Sequence, residues 1–124
     1  DTVRNFVEEE VVPIIEKHYR EGTFPFEMTA KMAELGLFGI KVSEQYGGHG
    51  MNYTSYGLAM QELERGDSAF RSFASVQNSL VMFPIETYGS EEIKMKWLPK
   101  LAKAEAIGCF GLTEPDFGSN PGGM

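Results

Sequence analysis

Four serines and one arginine share one face of a single segment. Ser68, Ser72, Ser75 and Ser79 recur at intervals of three and four. At about 100° per helical residue they fall in a sector roughly 60° wide. Arg71 lies just beside that sector, while Phe70, Phe73, Gln77, Leu80 and Val81 occupy the opposite half. Small hydroxyl side chains let another body approach and offer it donors and acceptors. A guanidinium beside them can clamp a carboxylate through two parallel hydrogen bonds. The chemistry on offer is a ligand wall with a charge selector. The alternative is that the serines face solvent and Arg71 pairs with Asp67, four residues earlier. Such surface pairs are common and weak, and the pattern alone leaves both readings open.

A second place for chemistry is the run Cys109-Phe110-Gly111-Leu112-Thr113-Glu114-Pro115-Asp116-Phe117-Gly118-Ser119. A strand running into a Gly- and Ser-bearing turn can present backbone N–H groups to an anion or to the edge of a heterocycle, and Thr113 adds a hydroxyl. The run is neither a Walker loop, since no Lys follows, nor a G-x-G-x-x-G turn. A plain turn leaving a strand remains the other reading. His18 and His49 lie far apart without a partner pattern and are expected to face solvent. Cys109, inside an apolar run, reads as an inert core thiol, and Glu114, followed by Pro115, as a structural acceptor rather than a base. No Cys/His cluster offers a metal site.

The elements that must position these residues are helices. From Thr2 to Tyr19, Val3, Phe6, Val7, Val11, Ile14 and Ile15 recur at helical spacing, with Pro13 kinking the run and Gly22 ending it. A short helix follows over 26–35, stopped at Gly36, with Phe26, Ala30, Ala33 and Leu37 on its buried side. Glycines at 39, 47, 48 and 50 make a loop of residues 37–52. A third helix spans 54–65 with Tyr56, Met60 and Leu63 on one side, broken at Gly66-Asp67. The serine-bearing helix runs over 68–88, disturbed by Pro84 and closed by Gly89. Ser90 caps a fifth, with Glu91 and Glu92 in its first turn. Ile107, Cys109, Phe110 and Leu112 then read as a strand with nothing to pair with, the opening of a β domain. The expected architecture is all-α, an antiparallel helical bundle over residues 1–105, followed at 106–124 by the first strand of a second domain.

Composition narrows the function classes. Eleven basic against eighteen acidic side chains give a net charge of −7 and a pI near 4.8. That balance disfavours wholesale nucleic-acid binding, which needs a basic surface. One cysteine forbids an internal disulfide. A first residue of Asp, already inside a helical pattern, and a final Asn120-Pro121-Gly122-Gly123-Met124 turn read as the ends of a fragment.

Three stretches carry a resemblance. Gly108-Cys109-Phe110-Gly111-Leu112-Thr113-Glu114-Pro115 with Gly118-Ser119 resembles the first signature of the acyl-CoA dehydrogenase family. Glu44-Gln45-Tyr46-Gly47-Gly48-His49-Gly50 is similar to the glycine loop of that family's helical domain. The stretch from Tyr88-Gly89-Ser90-Glu91-Glu92 to Trp97-Leu98-Pro99 is similar to another recurring segment. Within the family, Glu62-Leu63-Glu64-Arg65, Arg71-Ser72, Ser75-Val76-Gln77 and Ser79-Leu80-Val81-Met82 look like the glutaryl-CoA dehydrogenase branch.

The resemblance implies α,β-dehydrogenation of an acyl-CoA thioester, in this branch glutaryl-CoA, followed by loss of its distal carboxylate as CO₂. Arg71, aided by Ser72 and Ser75, would recognise that carboxylate. Phe110, Gly111, Leu112 and Thr113 would line the flavin of FAD, Gly118 and Ser119 would approach its pyrophosphate, and Ser119 would also touch the acyl-CoA. Phe117, where a small residue is common, and Asn120, where Asp is usual, depart from the motif. The resemblance puts the catalytic base, a Glu, beyond residue 124, so no catalytic residue is assigned here. It further implies an electron-transfer flavoprotein as acceptor, a homotetramer, and a cytoplasmic location in a bacterium or a mitochondrial matrix one in a eukaryote. Residues 1–124 alone are expected to bind little FAD and turn over no substrate, which a yellow, active preparation would refute. Two other readings stand beside this one. One is a short- or branched-chain acyl-CoA dehydrogenase without a carboxylate selector, and the other is a helical protein-interaction module.

Overall fold

Two prolines decide how the two long helical runs are built. The computed structural model describes all 124 residues, Asp1–Met124. The first run consists of α1 (Thr2–Phe6), a wide π-type turn over Val7–Val11, and α2 (Val12–Glu21), ended by Gly22 in the left-handed conformation. The serine-bearing run is built the same way, from α5 (Ser68–Ser75), a π-type turn over Val76–Met82 and α6 (Phe83–Tyr88). Pro13 and Pro84 each stand in the first turn after a wide turn. Proline has no N–H to donate, and its ring crowds the carbonyl four residues back. The i→i+5 pattern of a π turn gives that ring room without ending the helix.

Between these runs lie α3 (Met28–Glu34) and α4 (Tyr53–Gly66), and α7 (Glu91–Ala102) follows them. Caps begin three of the helices. The Ser55 N–H donates to Asn52 Oδ1 at 2.9 Å, the Ala69 N–H to Asp67 Oδ1 at 2.8 Å, and the Ile93 N–H to Ser90 Oγ at 3.4 Å. The main core joins Val7 and Val11 to Leu63 of α4, Phe70 and Ala74 of α5, and Phe38 of the loop. A second core sets Met82 against Leu98 and Leu101 of α7 and against Tyr46. The first part of the glycine-bearing loop, Leu37 to Ile40 with Val42, and Tyr46 are therefore buried, while residues 49–52 are exposed. The N–H groups of Gly39 and Ile40 both donate to Asn78 Oδ1, at 2.9 and 3.0 Å, and Asn78 Nδ2 donates to the Leu37 and Ala74 carbonyls at 2.8 Å each. No helix is long and apolar enough to cross a membrane.

Three sequence expectations are corrected. Phe26 and Ala30 are exposed, and the buried residue of α3 is Met32. A helix of seven residues makes fewer than two turns, too few for its apolar pattern to single out one face. No strand forms over 107–112, because the segment has no neighbour to form a ladder with, and the only bridge in the chain joins Glu114 to Phe117. For the same reason nothing covers Cys109, which is exposed rather than a core thiol.

Candidate functional site

Arg71 owes its position to a break in the chain. Asp67 is extended (φ −167°, ψ 136°), and its carboxylate caps α5. This turn places the last turn of α4 beside the first turn of α5. Glu64, not Asp67, is the residue that meets the arginine: Arg71 Nε donates to Glu64 Oε2 at 2.6 Å. Ser68 Oγ donates to the other oxygen, Oε1, at 2.7 Å. The hydrogen bond from Arg71, then that from Ser68, holds the Glu64 carboxyl below its ordinary 4.5. The side chains are 37% and 46% exposed, so the pair adds little to stability. Its effect is orientation. Only Nε is engaged, and the two terminal nitrogens of the guanidinium have no protein partner. They form the edge on which a second carboxylate can be bound.

The serines have separate fates. Ser68 serves Glu64. Ser75 Oγ turns back on its own helix, donating to the Ser72 carbonyl at 3.1 Å. Ser79 Oγ shares a hydrogen bond with the Tyr56 hydroxyl at 2.9 Å. Ser72 keeps its hydroxyl free of protein partners and walls a groove of about 350 Å³, with Phe24, Phe73, Ile107 and Gly108 among its other walls. Arg71 and Ser72 are thus the two members of the face that remain available to a ligand.

The second stretch leaves the helical body after Gly108. Residues 109–116 are exposed, with Phe110 at 50% and Leu112 at 44%. Between Cys109 and Thr113 no backbone N–H has a partner within the chain, and the first to find one is that of Glu114, bonded to the Phe117 carbonyl at 3.4 Å. Gly111 and Gly118 have open space where a side chain would stand. Free amides, two exposed apolar side chains and glycines that admit close approach fit the edge and face of a flavin, and Thr113 adds a hydroxyl. Ser119 is exposed and makes no hydrogen bond to the helices. No group of His, Cys, Asp and Glu is placed to hold a metal ion. His49 is exposed, while His18 is half-buried, with Nδ1 2.8 Å from Thr23 Oγ1.

Two sets of residues escaped the sequence reading. Glu64 was hidden because its partner lies across the Gly66-Asp67 break, where helical spacing no longer applies. The signal for it was an acid just before that break and a base just after. The other set is Gln77 and Asn78, adjacent amides that are both 2% exposed. Their signal was two neutral amides in a run that is otherwise apolar or hydroxylic.

Residues 1–105 match the family described as the acyl-CoA dehydrogenase N-terminal domain. The chain is 43% identical over 122 residues to an acyl-CoA dehydrogenase of Bacillus subtilis (strain 168), covering 98% of this chain and 32% of the relative. It is 40% identical over 121 residues to the mitochondrial short-chain specific acyl-CoA dehydrogenase of Rattus norvegicus, covering 98% of this chain and 29% of that one. Among solved structures, it superposes with a TM-score of 0.93 on a glutaryl-CoA dehydrogenase from Mycobacterium smegmatis in complex with FADH2. That match is 56% identical and covers 99% of this chain and 32% of the other. The chain spans about a third of the length of the relatives it matches.

Proposed function

The chain belongs to the acyl-CoA dehydrogenase family, and on that footing we propose that it supplies the substrate-selecting helices of an FAD-dependent enzyme that oxidises glutaryl-CoA. The observation that carries this reading is the half-occupied guanidinium of Arg71, held by Glu64 through Nε with its other edge open. A short-chain substrate such as butyryl-CoA ends in a methyl group and gives that edge nothing to bind. The dicarboxylic thioester presents a carboxylate, which a bidentate arginine binds with both strength and direction. The Ser72 hydroxyl donates a further hydrogen bond to the same carboxylate, and Ser75 braces the helix turn between them. Carboxylate and guanidinium together fix the far end of the acyl chain, so that its reacting carbons are presented in one orientation.

Phe110, Gly111, Leu112 and Thr113 hold the flavin in this proposal, with Gly118 and Ser119 toward the pyrophosphate, and Ser119 also toward the acyl-CoA. When bound, FAD supplies the acceptor for the hydride that leaves the β carbon. No carboxylate of this chain is assigned as the base that takes the α proton. Residues 1–105 form the helical domain in this reading and residues 106–124 begin a β domain. Loss of the distal carboxylate as CO₂, giving crotonyl-CoA, completes the reaction, and an electron-transfer flavoprotein reoxidises a homotetrameric enzyme.

The test is a comparison of glutaryl-CoA with butyryl-CoA on the FAD-loaded enzyme. The wild type is expected to prefer glutaryl-CoA. Arg71→Ala is expected to cut kcat/KM for glutaryl-CoA by about 100-fold, the scale of losing a charge-assisted hydrogen bond. Turnover of butyryl-CoA should stay within about threefold. A wild type that prefers butyryl-CoA and an Arg71→Ala variant that is indifferent to the carboxylate would decide for a short-chain enzyme. That second reading is favoured by the similarity to the Rattus norvegicus protein.

A further inference from the structure

Gln77 is the buried polar residue to which the proposed function gives no task. It lies on the wide turn five residues beyond Ser72 and spends its amide on one stretch of backbone. Nε2 donates to the Leu101 and Ala106 carbonyls at 3.0 Å each, and Oε1 accepts from the Gly108 N–H at 3.0 Å. Both donors and the acceptor oxygen of the amide are therefore engaged. The three partners are the end of α7, the loop that follows it and the first residue of the Gly108–Thr113 run. A separate contact holds the same point. A methyl group on Gly108 would come within 2.4 Å of Val81 Cγ1, so the chain lies flush against the helix only because residue 108 is glycine. The groove beneath Ser72 has Gln77, Ile107 and Gly108 among its walls. Its width is the separation that this amide maintains.

We propose that Gln77 is a positioning residue that sets the flavin-facing segment at a fixed distance from the Arg71 and Ser72 face. It rests on the FAD and acyl-CoA reading above for its consequence, though not for its geometry. Ligand held on α5 and flavin held on residues 110–119 must meet within reacting distance. The only side-chain hydrogen bonds from the serine-bearing helix to residues 106–124 are those of Gln77, to the Ala106 carbonyl and from the Gly108 N–H. Removing the amide leaves the Ala106 carbonyl and the Gly108 N–H without a protein partner, while the Leu101 carbonyl keeps its bond from the Ala104 N–H. The loss falls on the step that needs both halves aligned, while each half still binds its own ligand.

Hydrogen exchange on the unaltered chain is the first test. The Gly108 amide should be protected, while the amides of Cys109 to Thr113, which lack acceptors, exchange at unprotected rates. Gly108 exchanging as fast as its neighbours overturns the proposal without any variant. Gln77→Met keeps length and burial but has no amide, and it should speed Gly108 exchange by at least about tenfold. In the FAD-loaded enzyme the same variant should reduce its flavin about tenfold more slowly at saturating acyl-CoA, with retention of FAD and the dissociation constant for acyl-CoA within about threefold. Accelerated Gly108 exchange with an unchanged rate of flavin reduction overturns the coupling. If no acyl-CoA reduces the flavin of the wild type, the functional reading has failed and takes the coupling with it. The exchange data then show separately whether the Gln77–Gly108 contact is real.

Discussion

Glu62 is the most strongly perturbed acid of the chain, and it is a clamp rather than a catalyst. Arg4 reaches it from α1, with Nη2 to Oε1 at 2.7 Å, and Arg65 from its own helix, with Nε to Oε2 at 3.1 Å. The Arg4 hydrogen bond, followed by that from Arg65, pulls its carboxyl from 4.5 down to about 2. A carboxyl depressed in the folded state favours folding above its unfolded value, and that contribution disappears as pH falls through the folded one. The window for Glu62 therefore runs from 4.5 down to about 2. Glu62→Gln should lower the urea midpoint near neutral pH and match the wild type once the solution is acidified to the bottom of that window. A gap of equal size at both ends would show that the pairing has no bearing on acid stability. Arg71 is built differently, since its single tie to Glu64 leaves most of its donors in reserve.

At the level of elements, the informative junction is the end of α7. The Ala104 N–H donates to the Leu101 carbonyl at 3.2 Å and the Glu105 N–H to the Lys100 carbonyl at 2.9 Å, the two bonds of a Schellman closure. Ala104 adopts the left-handed conformation that this closure requires, with φ 56°, the only non-glycine residue to do so. A side chain there costs about 1–2 kcal/mol, set against about half of the 0.8 kcal/mol that a fully buried methyl group contributes. Ala104→Gly should therefore stabilise the chain by about 0.6–1.6 kcal/mol, read as a higher denaturant midpoint. An unchanged or lower midpoint would mean that the methyl packs better than its half-burial suggests. Periodicity made the helices and the Arg71–Ser72 face legible in the sequence, because both depend on residues within one unbroken element. It could not reveal Glu64, which lies across a break, or the partners of Gln77 and Asn78, because it put Gln77 on the apolar half of the helix without saying what its amide would meet there. The face of α3 was misread because seven residues give too few repeats.

As a whole, the molecule consists of a helical body packed on two cores and an uncovered length of chain. The body owes its order to the two cores, and Gln77 marks where that order stops. From Cys109 onward the backbone is exposed and has few internal hydrogen bonds, and such chain opens to proteases most easily. Brief chymotrypsin digestion should cut first at Phe110, Leu112 or Phe117 and leave residues 1–110 as the limiting resistant product, identified by mass. Early cleavage at Phe70 or Phe73 would show that the body itself opens. The two wide turns have an inherited consequence. Each carries one residue more than an ordinary turn of the same helix, immediately ahead of a proline. Losing a codon from a helix normally rotates everything downstream by about 100°. Losing one from 76–82 would instead convert the wide turn to an ordinary one and leave α6 and α7 where they are. The constraint on such a deletion comes from Pro84 and the inward pair Gln77–Asn78, so a lineage that first exchanged the proline could shorten this gene without disturbing the face that carries Arg71.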